Sequence, residues 1–196
     1  MISTDQVKEL RDKTGISIMQ CRKALEDAGG DIEKAMVILK KKGAEIAGKK
    51  SDRTLGAGVV QSYIHSTGAV GAMVELWCET DFVAKNEEFK TLAKDIAMHI
   101  AATSPLYLST DQIPEDAKEK AKEVFQKEVE GKPENMKETI LQGKLDSYFK
   151  DMVLLEQPFV KNPDQTIADY TKEHIAKLGE NIVIRRFNRI ALGEVE

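Results

Sequence analysis

Histidines, cysteines and close pairs of carboxylates are the side chains that most often carry reactions, and this sequence keeps them apart. His65, His99 and His174 stand in separate segments, and none belongs to a metal-binding spacing such as HExxH. Cys21 and Cys78 are isolated, which offers neither a zinc nor a dithiol motif and suits a reducing compartment. Acids between residues 111 and 138 are interleaved with lysines, the pattern of a solvated helix face rather than of an acid–base pair. Arg185, Arg186 and Arg189 could gather a phosphate, but strand alternation sets Arg186 apart from the other two. Ion pairs with the acidic helices are the expectation for this group. No Walker loop, nucleophile elbow or dinucleotide fingerprint is present. The reading is therefore of a binding protein, not an enzyme, with no cofactor and no metal ligand set.

For a binder, the informative residues are apolar ones that ought to be exposed. CETDFVAKN, residues 78 to 86, connects a strand-like run to a helix-like one and sets Asp81 beside Phe82 in the connection. A second group is Ile16, Ile18 and Met19, at the first turn of a short helix. Methionine adapts to varied contacts and phenylalanine anchors interfaces. The alternative is that Ile18 or Met19 completes a local core.

The elements that must hold these residues are legible from periodicity and caps. Residues 4 to 42 read as three short helices. Thr14-Gly15 stops the first, Gly29-Gly30 closes the second, and Asp31 is a natural N-cap for the third. Residues 43 to 53, continuous with the lysines at 40 to 42, are basic and poor in apolar residues, and read as a helical or flexible linker. GVVQSYIH and AVGAMVELWCE alternate around Ser66-Thr67-Gly68, the pattern of an antiparallel hairpin over residues 58 to 78. Asn86 can cap a helix whose buried stripe is Phe89, Leu92, Ala93, Ile96 and Ile100. Residues 114 to 150 predict a projecting helical hairpin broken at Gly131-Lys132-Pro133. MVLLEQPFV predicts a strand or buried loop, Gln165 to Leu178 a helix, and NIVIRRFNRIAL a third strand. The fold class is α+β: a three-helix domain at 1–42, a linker at 43–53, and a core at 54–196 with a three-stranded antiparallel sheet.

Composition sets the class. The chain has 196 residues, 41% of them hydrophobic and 32% charged, which describes an ordinary globular protein. A net charge of −4 argues against dedicated nucleic-acid binding. No apolar run approaches the roughly 20 residues of a membrane span. The N-terminus carries early acids and lacks a signal core, so the chain is expected to work where it is made, in the cytoplasm.

LRDKTGISIMQCRKALEDAGGDIEKA, the basic linker, VELWCETDFVAKNEEF, AMHIA, VLLEQPFV and GENIVIRRF occur here in one order. Together they resemble the translation elongation factor Ts family over nearly the whole chain, with TDFVAKN the most specific piece. The N-terminal helices alone also resemble ubiquitin-associated domains, which leaves residues 54 to 196 unexplained. The resemblance implies a guanine-nucleotide exchange factor for the GTPase elongation factor Tu. Such a factor binds the GDP complex, promotes loss of Mg²⁺ and GDP, and leaves when GTP binds. It assigns dislodging of Mg²⁺ to Thr80, Asp81, Phe82 and Val83, and a hold on the nucleotide domain to the N-terminal module, here Ile18 and Met19. Longer members carry two core modules. This chain has room for one, with AMHIAA resembling the second module and TDFVAKN the first, which implies a homodimer. Asn188 stands where some short relatives carry a cysteine, so that dimer should be non-covalent. Two rival classes remain open: a ubiquitin-type adaptor acting through Ile16 to Met19, and an RNA-associated protein acting through residues 40 to 53.

Overall fold

The computed structural model describes residues 2–50, 52–131 and 133–194. In chain order the elements are helices α1 (Thr4–Thr14), α2 (Ile18–Asp27) and α3 (Ile32–Lys50), strands β1 (Ala57–Ile64) and β2 (Val70–Cys78), and helices α4 (Asp81–Ala84) and α5 (Glu87–Thr103). Helices α6 (Glu115–Val129) and α7 (Glu134–Lys150) follow, then β3 (Pro158–Phe159), β4 (Asn162–Thr166), α8 (Ile167–Leu178) and β5 (Ile182–Ala191). Strands β1, β2 and β5 form an antiparallel sheet in that order, and β3 pairs with β4. This is the expected α+β class. The chain divides into two compact units, one of residues 1–61, 74–95 and 169–185 and one of residues 62–73, 96–168 and 186–196.

In the first unit, α1 begins at a capping box between Ser3 and Gln6 and ends at Gly15, whose φ of 67° supplies the left-handed turn. Asp31 caps α3 by accepting from Lys34 N at 3.0 Å. Val7, Leu10, Ile16, Cys21, Ala24, Leu25, Ala35 and Leu39 form one buried cluster, and Ala176 of α8 packs against it. Helix α3 continues through residues 43–50, so the segment read as a helical or flexible linker is helical there. Gly43 permits a close approach, because a Cβ at this position would lie 3.2 Å from Ala176 Cβ and 3.4 Å from the Lys172 carbonyl. Gly43, the first residue of that segment, is a packing contact.

The second unit holds the predicted helical hairpin, α6 and α7. Ile113, Ala121, Phe149 and Val153 form its small buried cluster. Tyr148 packs edge-on against Phe125 and Phe149, with ring centroids 5.5 and 5.1 Å apart. The β3–β4 hairpin departs from expectation. Residues 162–166 form a strand, and the helix predicted from about Gln165 starts at Ile167. Asn-Pro-Asp-Gln-Thr has little strand propensity, and the strand is defined by its antiparallel pairing with β3.

Candidate functional site

The 78–86 segment lies in the first unit. Ala72, Val74, Leu76 and Cys78 alternate on the buried face of β2, which fixes where the strand ends. Thr80 then adopts an extended conformation and caps α4, its hydroxyl accepting from Val83 N at 3.5 Å. Six residues on, Asn86 Oδ1 accepts from Glu88 N at 2.9 Å and starts α5. Between these two caps the chain makes a single helical turn. Sequence periodicity cannot show so short a helix, and from the sequence the segment reads only as a connection between a strand and a helix.

That turn decides which side chains are available. Ala84 is buried and Val83 half-buried, while Phe82 is 84% exposed. Burying a phenylalanine side chain is worth roughly 1.5–3 kcal/mol, and within this chain that gain is unused. Asp81 is exposed as well. Its carboxylate meets Lys85 Nζ at 2.6 Å, and this hydrogen bond holds its pKa below the usual carboxylate range.

The backbone leading into the turn is held by the residues that follow α8. Glu180 accepts from Glu79 N at 3.1 Å, Thr80 N at 3.0 Å and the Thr80 hydroxyl at 2.5 Å. Glu79 in return accepts from Asn181 N at 2.7 Å and pairs with Arg53 at 2.9 Å. The Cys78 thiol donates to Thr80 O at 3.2 Å, and burial, reinforced by the charge of Glu180, pushes its pKa up to about 11. It is therefore no nucleophile at neutral pH. Sequence reasoning missed the contact of Glu79 with Glu180 and Asn181, about a hundred positions further along the chain; GENIVIRRF carries no local sign of it.

In the N-terminal helices the two apolar possibilities separate. Ile18 is 52% exposed and Met19 84%, at the first turn of α2. Ile16, expected to be exposed beside them, is instead buried. Ser17 is the N-cap of α2, which puts Ile16 one place before the cap and Cys21 at the fourth helical position. Both belong to the same buried cluster, the arrangement of a hydrophobic staple.

The histidines in the cores are structural. His99 Nε2 lies 2.9 Å from Gln157 Oε1, and its Nδ1 accepts from Val160 N at 3.3 Å. His174 Nδ1 lies 2.9 Å from the Tyr170 carbonyl. Burial lowers the pKa of both. Two of the three arginines have contacts other than the expected ones with the acidic helices. Arg189 meets Glu194 and donates to Ala101 O at 3.2 Å, while the Arg185 guanidinium sits 5.8 Å from the Trp77 ring centre. No group of three or more metal-ligating side chains occurs among the described residues. No helix among them is long and apolar enough to cross a membrane. In the second unit Ile64, Met73, Ile190 and Leu192, all exposed, line one groove together with Asn188.

Comparison with known proteins gives this arrangement a context. The family described as Elongation factor TS matches residues 33–174, which include the whole of the Phe82 turn. Elongation factor Ts of Carboxydothermus hydrogenoformans is 52% identical over 196 residues, covering 99% of this chain and 90% of that protein. The proteins of the same name from Acetivibrio thermocellus and Thermodesulfovibrio yellowstonii are each 50% identical, covering 99% and 100% of this chain and 91% and 98% of their own lengths. Identity at this level over essentially the full length shows that the chain belongs to the elongation factor Ts family.

Proposed function

We propose that this chain is a guanine-nucleotide exchange factor for the translational GTPase elongation factor Tu. The observation that carries the reading is Phe82: a bare aromatic, 84% exposed, on a one-turn helix capped at both ends, within a chain of this family. Phe82 is the wedge that enters an apolar pocket of the GTPase, and Asp81 acts beside the bound Mg²⁺. Thr80 and Val83 hold the turn. Ile18 and Met19 form a second contact, on the nucleotide domain. A factor that weakens nucleotide binding is weakened equally by the nucleotide, so GTP binding releases it. Moving a site from 1:99 to 99:1 takes about 5.5 kcal/mol of differential affinity, more than one aromatic anchor supplies, which is why several contacts share the work.

The same reading makes the protein a non-covalent homodimer. It is supported by the exposed apolar side chains Ile64, Met73 and Ile190 on the sheet and Leu192 just past its last strand, and by cysteines that are both buried. The protein acts in the cytoplasm, on a protein partner, without direct contact to nucleic acid or membrane. The test is release of fluorescent GDP from elongation factor Tu with and without this chain. Acceleration that saturates with the chain's concentration is expected, and an unchanged release rate would overturn the proposal.

A further inference from the structure

If Phe82 is the wedge, something must fix its direction, and the structure assigns that task to Glu180; the inference rests on the exchange reading. One carboxylate takes three hydrogen bonds from two consecutive residues, Glu79 and Thr80. Bonds to an ionised acceptor are the stronger kind, and three of them fix the peptide that leads into α4. The Thr80 hydroxyl that donates to Glu180 is also the oxygen that caps α4 through Val83 N. Glu180 therefore acts on Phe82 through Thr80, as a positioning residue.

The placement of Glu180 is itself well determined. Gly179 closes α8, its N–H donating to Ile175 O at 2.9 Å, and its φ of 73° is one that side-chain-bearing residues rarely adopt. The bond from Asn181 N to Glu79 secures the same connection from the other side. Each strand of this clasp uses the carboxylate of one segment and the backbone N–H of the other. Removing the Glu180 carboxylate would leave the Glu79 and Thr80 N–H groups without their acceptor and free the Thr80 rotamer. The aromatic ring would still be present but no longer aimed, and misplacement by about 1 Å can cost a site up to a hundredfold in rate.

The experiment uses the full chain as Glu180→Ala, Glu180→Gln, Phe82→Ala and the Glu180→Ala/Phe82→Ala double variant. GDP release from elongation factor Tu is measured over a range of factor concentrations, alongside amide hydrogen exchange at residues 79–83. Glu180→Ala should lower the saturating release rate about tenfold and leave the half-saturating concentration within about threefold, since Ile18 and Met19 are untouched. The Thr80 and Val83 amides should exchange faster. Glu180→Gln should recover most of the rate, because its amide oxygen still accepts from the backbone and its NH₂ can donate to the Thr80 hydroxyl. The double variant should be no slower than Phe82→Ala alone. If the alanine variant melts below the assay temperature, Glu180→Asp takes its place; it keeps the charge and shortens the reach, and the same split is expected. A normal saturating rate for Glu180→Ala beside a slow Phe82→Ala would overturn the inference alone. A normal rate for Phe82→Ala would overturn the wedge reading and the inference together.

Discussion

Phe82→Ala separates a wedge from an ordinary packed ring. The side chain is 84% exposed, so truncating it removes almost no buried area. Its neighbour Ala84 carries the buried side of the turn, and the caps at Thr80 and Asn86 do not involve the ring. The melting behaviour should therefore correspond to a change of less than about 0.5 kcal/mol, the usual range for a surface substitution. In the complex the balance reverses. Transferring the ring from water to an apolar pocket is worth roughly 1.5–3 kcal/mol, and truncating an aromatic anchor typically costs about 2 kcal/mol or more. If this energy is expressed in the step that displaces nucleotide, 2 kcal/mol corresponds to a release rate roughly thirtyfold slower. Stopped-flow release of fluorescent GDP at saturating factor reads the rate, and a thermal melt of the free variant reads the fold. Phe82→Leu should fall between the two, since it keeps part of the apolar volume. A variant that melts far below the parent, or one that releases GDP at the parental rate, would refute the argument.

Asp81→Ala should impair exchange in a way that shrinks when Mg²⁺ is chelated, whereas the Phe82→Ala defect should persist in part; release at several Mg²⁺ concentrations distinguishes them. Ile190→Asp places a charge on the exposed apolar face of the sheet and should weaken self-association at least about tenfold without lowering the melt, with sedimentation as the measurement and reducing agent without effect. Acid should destabilise the protein through His99. Its folded pKa is lowered by burial, so the unfolded chain binds the extra proton first, and stability present above about pH 6.5 is lost as pH falls below that value. Urea unfolding at pH 7.5 and 5.5, above the carboxylate range, should show a smaller loss in His99→Gln than in the parent.

The parts of the fold legible in the sequence are those with a local cause. Gly15, Asp31 and Asn86 act as the caps their types suggest. The stripe Phe89, Leu92, Ala93, Ile96 and Ile100 is fully buried, as its helical spacing requires. The hairpin of β1 and β2, the third strand and the α6–α7 pair follow from alternation and turn residues in the same way. What was not legible depends on partners remote in sequence. The packing role of Gly43 could not be read, because its neighbour Ala176 is far along the chain. Strand β4 has only Thr166 as a strand-favouring residue and is defined by its pairing with β3. Ile16 went wrong for a subtler reason: its burial depends on standing one residue before the cap, and hydrophobicity alone does not distinguish that place from those of Ile18 and Met19.

Phe82 was visible as a residue out of phase with its surroundings, but the geometry that makes such a residue useful was not. A flexible loop carrying an aromatic would lose conformational entropy on binding, about 0.5–1.5 kcal/mol for each side chain immobilised and more for the backbone. That cost would be drawn from the few kcal/mol available for loosening a nucleotide. Here the backbone order is supplied during folding, by the Thr80 and Asn86 caps and by the exchange of hydrogen bonds between 79–80 and 180–181. The ring itself gains nothing from that order within the chain. Rigidity without self-burial is the combination a reversible wedge needs. A buried ring would be spent on stability, and an unsupported one would spend much of its binding energy on its own ordering.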